Sequence, residues 1–86
     1  MKFVEPSAFT DPDKAARRLA EMANAIETVH DGRIYIELIN QAFLDAGGTP
    51  GQYGVALKRA VELGWLWRHE SGTYVKFTPA GAEMFA

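Results

Sequence analysis

The stretch that decides the fold is Trp65-Leu66-Trp67-Arg68-His69-Glu70-Ser71-Gly72-Thr73-Tyr74-Val75-Lys76-Phe77-Thr78-Pro79-Ala80-Gly81. Its apolar positions recur every second residue on both sides of Ser71-Gly72, and that pair has the length of a two-residue hairpin turn. Closing the chain there pairs Glu70 with Thr73, His69 with Tyr74, Arg68 with Val75, Trp67 with Lys76 and Leu66 with Phe77. Leu66, Val75 and Phe77 then point together into a core, and Trp65, Trp67, His69, Tyr74 and Lys76 are left on the other face. Thr78-Pro79 follows with a capping residue and a proline, which restarts a helix.

Upstream of the hairpin, Thr49-Pro50-Gly51-Gln52 is the sharpest local signal in the chain. Thr49 can cap the amide of Gln52, Gln52 can reach back, and Pro50 suits the first helical position. The third helix therefore spans about 50–63. At 100° per residue, Tyr53, Leu57, Ala60, Val61 and Gly64 share one side, and Gly51, Gln52, Val55, Lys58, Arg59 and Glu62 share the other. A second helix over 36–46 carries Ile36, Ile39 and Phe43 inward and closes at Gly47-Gly48. Arg33-Ile34-Tyr35 reads as a short strand. A first helix over 12–30, capped by Asp11 and opened by Pro12, places Ala15, Leu19, Met22, Ala23, Ile26 and Val29 on one face and stops at Asp31-Gly32. Its many alanines point to close packing on the other two helices rather than to a dimer seam. Residues 1–11 read as an extended arm, with Phe3, Val4 and Phe9 available to dock. The expected domain is thus residues 12–86, an α+β unit with a three-helix core, one short strand and a two-stranded hairpin.

Composition bounds the function. At 86 residues the chain holds one domain, and 48% apolar against 23% charged residues is the balance of a globular core rather than of a disordered or fibrous chain. The absence of cysteine excludes disulfides, thiolate zinc sites and cysteine nucleophiles. No segment approaches the roughly 18 apolar residues of a membrane helix, and the start lacks a signal-peptide core, so the expected compartment is the cytoplasm. The net charge is −2, but it is uneven: residues 1–48 balance to −3 and residues 49–78 to +2. That skew is compatible with one face meeting an anionic partner.

The segment Ala60-Val61-Glu62-Leu63-Gly64-Trp65-Leu66, followed by Thr73-Tyr74-Val75-Lys76-Phe77-Thr78-Pro79-Ala80-Gly81, resembles the winged helix-turn-helix superfamily, in particular the MarR-like and PadR-like bacterial regulators. In those families a recognition helix ends in Leu-Gly and an aromatic residue, and the wing closes in Thr-Pro-Ala-Gly. The resemblance covers about residues 12–86. It implies a small DNA-binding, transcription-regulator-like protein. Gln52, Val55, Lys58 and Arg59 would then lie on the groove-facing side of the recognition helix and Lys76 on the wing, with weak binding to double-stranded DNA.

Other chemistries find little support. His30 and His69 have no ligand-forming spacing, and Ser7 and Ser71 sit in no nucleophile frame. Gly47, Gly48, Gly51 and Gly54 precede or open a helix, but the lysine and hydroxyl residue of a phosphate loop are missing. The expectation is a protein that is not an enzyme and needs no cofactor or metal. The alternative to DNA binding is a protein-interaction or self-association module that uses Trp67, His69 and Tyr74 on the outer face of the hairpin. Net acidity and the plain third-helix face, with Val55 and Glu62 near its centre, favour that alternative; the basic skew of residues 49–78 favours DNA.

Overall fold

The computed structural model describes residues 7–26 and 32–86. In order, the elements are α1 (Ser7–Thr10), α2 (Pro12–Ala25), β1 (Ile34–Tyr35), α3 (Ile36–Asp45), α4 (Pro50–Glu62), β2 (Leu66–Arg68), β3 (Tyr74–Phe77) and α5 (Pro79–Glu83). The fold is α+β: helices packed around one apolar core, with a small antiparallel sheet of strand order β1-β3-β2 against it.

Local chemistry sets the helix ends. Asp11 caps α2 through its carboxylate, which accepts from the amides of Asp13 and Lys14. Thr49 and Gln52 form the reciprocal capping box of α4: the Thr49 hydroxyl accepts from the Gln52 amide at 3.1 Å, and the Gln52 amide oxygen accepts from the Thr49 N–H at 3.0 Å. α3 ends as the Gly47 amide donates to the Leu44 carbonyl and the Gly48 amide to the Phe43 carbonyl. α4 ends the same way, with Gly64 donating to Val61 and Trp65 to Ala60. Gly47 and Gly64 have positive φ, which this closure requires.

The core gathers Leu19, Ile34, Ile39, Phe43, Leu57, Leu66 and Val75, with Ala15, Ala16, Ala20 and Ala23 letting α2 lie close to its neighbours. Phe9 of α1 meets Phe43 at a ring-centroid distance of 4.7 Å, and Phe43 meets Tyr53 edge-on at 5.5 Å. The Tyr53 hydroxyl donates to the Ile36 carbonyl at 2.9 Å, tying α4 to the junction of β1 and α3.

Several sequence expectations need correction. The arm expected to be extended over 1–11 contains the helical turn α1; Phe3 and Val4 lie outside the described residues. The first helix leaves helical geometry at Ile26, whose backbone is extended, rather than running to residue 30; Val29, His30 and Asp31 lie outside the described residues. Val61 is exposed, and Ala56 takes its place in the α4 stripe. Val61 lies about 80° round the helix from Tyr53, at the margin of the buried arc, whereas Ala56 closes the arc on the other side. Phe77 and Ile26 are half-buried on the rim of the core rather than inside it. Trp65 packs on the core instead of standing on the outer sheet face, because the α4 closing turn still holds it and the strand alternation starts only at Leu66.

The base of the hairpin is clamped from behind. The Thr78 amide donates to the Trp65 carbonyl at 3.1 Å, and the Thr78 hydroxyl bonds the carbonyls of Gly64 and Trp65 while accepting from the Gly81 amide. Gly81 is buried so closely under Trp65 that a Cβ would overlap the Trp65 carbonyl. Two backbones meet there, and neither can swing aside as a side chain would. Gly81→Ala is therefore expected to lower stability by about 1–3 kcal/mol, read by chemical denaturation with an unchanged m-value. Burial pushes the Tyr53 phenol up to about 12, against a smaller opposing pull from the Arg68 guanidinium. The unfolded chain releases that proton from its ordinary value of 10 while the folded chain keeps it, so stability falls as pH rises from about 10 towards about 12. Denaturation curves across that range should show a step that Tyr53→Phe lacks.

Candidate binding faces on the sheet and on α4

β3 is the middle strand, and its pairings define one surface. Ile34 faces Val75 and Tyr35 faces Tyr74 on one side, while Leu66 faces Phe77, Trp67 faces Lys76 and Arg68 faces Val75 on the other. The Ile36 amide donates to the Thr73 carbonyl and the His69 amide to the Tyr74 carbonyl, extending both ladders. Opposed residues in antiparallel strands share a face, so the side turned away from the core carries two rows. One is Tyr35, Tyr74 and His69. The other, with the β1 register continued by one residue, is Arg33, Lys76 and Trp67. None of these six side chains is a carboxylate.

The rings touch. His69 stacks on Tyr74 at 4.6 Å between centroids and 17° between planes, and Trp67 stands edge-on to His69 at 5.7 Å and to Tyr74 at 6.3 Å. From the β1 side the Arg33 guanidinium lies over the Tyr74 ring at 5.0 Å, a cation–π contact. The hairpin turn fixes the His69 ring: its Nδ1 accepts from the Ser71 amide at 3.1 Å and meets the Ser71 hydroxyl at 2.8 Å. That turn is longer than the two-residue one expected. The ladder ends at His69 and Tyr74, the Gly72 amide donates to the His69 carbonyl at 2.9 Å, and Gly72 has positive φ. Glu70 and Thr73 therefore belong to the loop, yet the register downstream is the one expected, because both turns are symmetric about Ser71-Gly72.

The α4 face is different. Val55 is 52% exposed in the middle of it, beside an open groove of about 270 Å³ lined by Phe9, Thr10, Gly51, Gln52 and Val55. Gln52 spends its amide oxygen on the capping box. The Arg59 Nε donates to Asp13 at 2.6 Å, a second guanidinium nitrogen reaches Glu62 at 3.5 Å, and these bonds raise the Arg59 pKa further above its already high value. Of the α4 residues singled out in the sequence, Lys58 is exposed and cationic, and Arg59 is held by carboxylates from α2 and α4. The structure thus gathers Trp67, His69, Tyr74 and Lys76 on one surface and leaves Gln52, Val55, Lys58 and Arg59 on another.

Nothing in the local sequence marks Arg33 and Tyr35 as site residues. The one signal there is the alternation of Arg33, Ile34 and Tyr35, out, in and out. Its partner strand lies about forty residues away, and pairing over that separation has no local signature. Among the described residues no group of three His, Asp or Glu side chains gathers as metal ligands, and no helix is long and apolar enough to cross a membrane. No protein-family model, no curated protein and no solved structure matches the chain.

Trp67 is 48% exposed and belongs to no core contact set, so its removal tests whether the outer face is dispensable for folding. Trp67→Ala should change the folding free energy by no more than about 0.5 kcal/mol, the range of ordinary surface substitutions. A loss of cooperative melting in this variant would make Trp67 a structural residue.

Proposed function

We propose that the chain is a winged helix-turn-helix domain that binds nucleic acid, in the manner of a small regulator-like protein, with the outer face of its wing sheet as the main contact surface. The order of helix, strand, helix, turn, helix and hairpin, with β1 added to the hairpin, supports the fold assignment. The observation that carries the functional reading is the outer sheet face itself: Lys76 beside four aromatic rings, counting His69, with the Arg33 guanidinium laid over one of them. Such a surface suits phosphates and bases together. Reading through α4 is less well supported, since Arg59 is neutralised by Asp13 and Glu62 and Gln52 is engaged in its cap.

A second reading is favoured by one observation. Trp67, Tyr74 and Arg33 lie together on the exposed face, and Trp, Tyr and Arg are the residues on which protein interfaces most depend. In that case the domain would join a protein partner or a second copy, and its association would respond weakly to salt.

The face carries few cations, and the Arg33 guanidinium is already engaged over the Tyr74 ring, so few phosphates can be neutralised there. Binding to a mixed-sequence oligonucleotide should weaken with salt along a log–log slope no steeper than about −2, with affinity in physiological salt of roughly 10⁻⁴–10⁻⁶ M or weaker. Lys76→Glu should remove the binding and Lys58→Gln should leave it nearly intact, measured by fluorescence anisotropy. The proposal fails if neither duplex nor single strand binds at low salt, or if Lys58 rather than Lys76 controls the affinity.

A further inference from the structure

Resting on the nucleic-acid reading above, we infer that the outer face of the sheet takes single-stranded nucleic acid in preference to duplex, with Tyr35 and Trp67 as the two base-stacking rings and Lys76 as the phosphate contact between them.

Not every ring on the face is open. Tyr74 is in the middle strand, covered by the Arg33 guanidinium from the β1 side and by the stacked His69 ring from the β2 side. It therefore braces the surface. The open rings are on the two edge strands: Tyr35 on β1 is 39% exposed and Trp67 on β2 is 48% exposed. They lie in different rows, two strands apart across the sheet and two residues apart along it. Strand spacings of ~4.8 Å and rises of ~3.3 Å per residue put them roughly 12 Å apart. Lys76 stands opposite Trp67 on the middle strand, between the two rings.

This arrangement separates the two forms of nucleic acid. In a duplex the faces of the bases are covered by their neighbours at about 3.4 Å per step, so rings roughly 12 Å apart on a protein surface reach only edges and backbone. A single strand can splay two bases apart and lay one on each ring while the phosphates between them pass over Lys76. Stacking of this kind is tolerant of sequence, because every base has a π-face. An acidic peptide would answer the charge of Lys76 but offers no base faces for the rings, so the two occupants make different demands on Tyr35 and Trp67.

The test uses the full chain at low salt, with a short oligothymidylate, a duplex of the same length and polyglutamate as probes. The oligothymidylate is expected to bind about tenfold or more tightly than the duplex, and Trp67→Ala and Tyr35→Ala are each expected to weaken it about tenfold. Trp67→Phe should restore part of that loss, since a smaller ring still stacks. A measurement on the unaltered chain guards against variants that fail to fold. In nuclear magnetic resonance spectra the Trp67 indole N–H signal should move on adding oligothymidylate, and the signal of Trp65, packed on the core, should stay. Duplex binding as tight as the single strand, or indifferent to Trp67, would overturn this inference and leave the nucleic-acid reading standing. Binding of neither form would defeat both. Polyglutamate competing as well as oligothymidylate would show that charge alone is recognised, and would also overturn the inference.

Discussion

Val75 is the residue on which the arrangement turns. It is fully buried, and its strand is hydrogen-bonded on both sides, to a two-residue β1 and a three-residue β2 that are too short to persist alone. Seating Val75 in the core fixes the register of both ladders at once. Because side chains alternate across a strand, the same seat decides what the other face presents. A slip by one residue would bring Tyr74 or Lys76 into the core and expose Val75, exchanging the apolar and the aromatic-cationic surfaces. The outer face is thus a consequence of core packing, and no separate device is needed to assemble it.

The second support is the clamp behind the hairpin. The amide and hydroxyl of Thr78 bind the carbonyls where α4 turns into β2, and the absence of a side chain at Gly81 lets α5 close over Trp65. The Thr-Pro-Ala-Gly segment therefore has a physical role in this chain: capping, helix entry and close backbone approach in four residues. It joins the end of the sheet to the end of α4, while Tyr53 joins α4 to the start of the sheet through the Ile36 carbonyl. α4 and the sheet are held as one piece, which leaves their solvent-facing surfaces to divide the remaining chemistry.

Much of this was legible in the residues. The capping box at Thr49 and Gln52, the proline-opened helices and the hairpin register are local, so short stretches of sequence encode them. Two things were not. The pairing of β1 with β3 joins residues far apart in the chain, so Tyr35 and Arg33 could be placed on a strand but not on the shared face with Trp67. The pairing of Arg59 with Asp13 likewise spans two helices, and the packing angle of α2 on α4, which no periodicity reveals, turns a promising basic residue into a satisfied ion pair. The resemblance to winged helix-turn-helix regulators points attention at α4, whereas the exposed aromatic rings among the described residues, Tyr35 and Trp67, are on the sheet.

The proposed working surface is the outer face of the sheet, with α4 mainly a structural helix. Photocrosslinking an oligothymidylate to the protein, followed by mapping of the attached peptides, reads that location directly. The account predicts attachment within residues 33–35 and 67–76, at Tyr35 or Trp67. Attachment confined to residues 50–62 would contradict it.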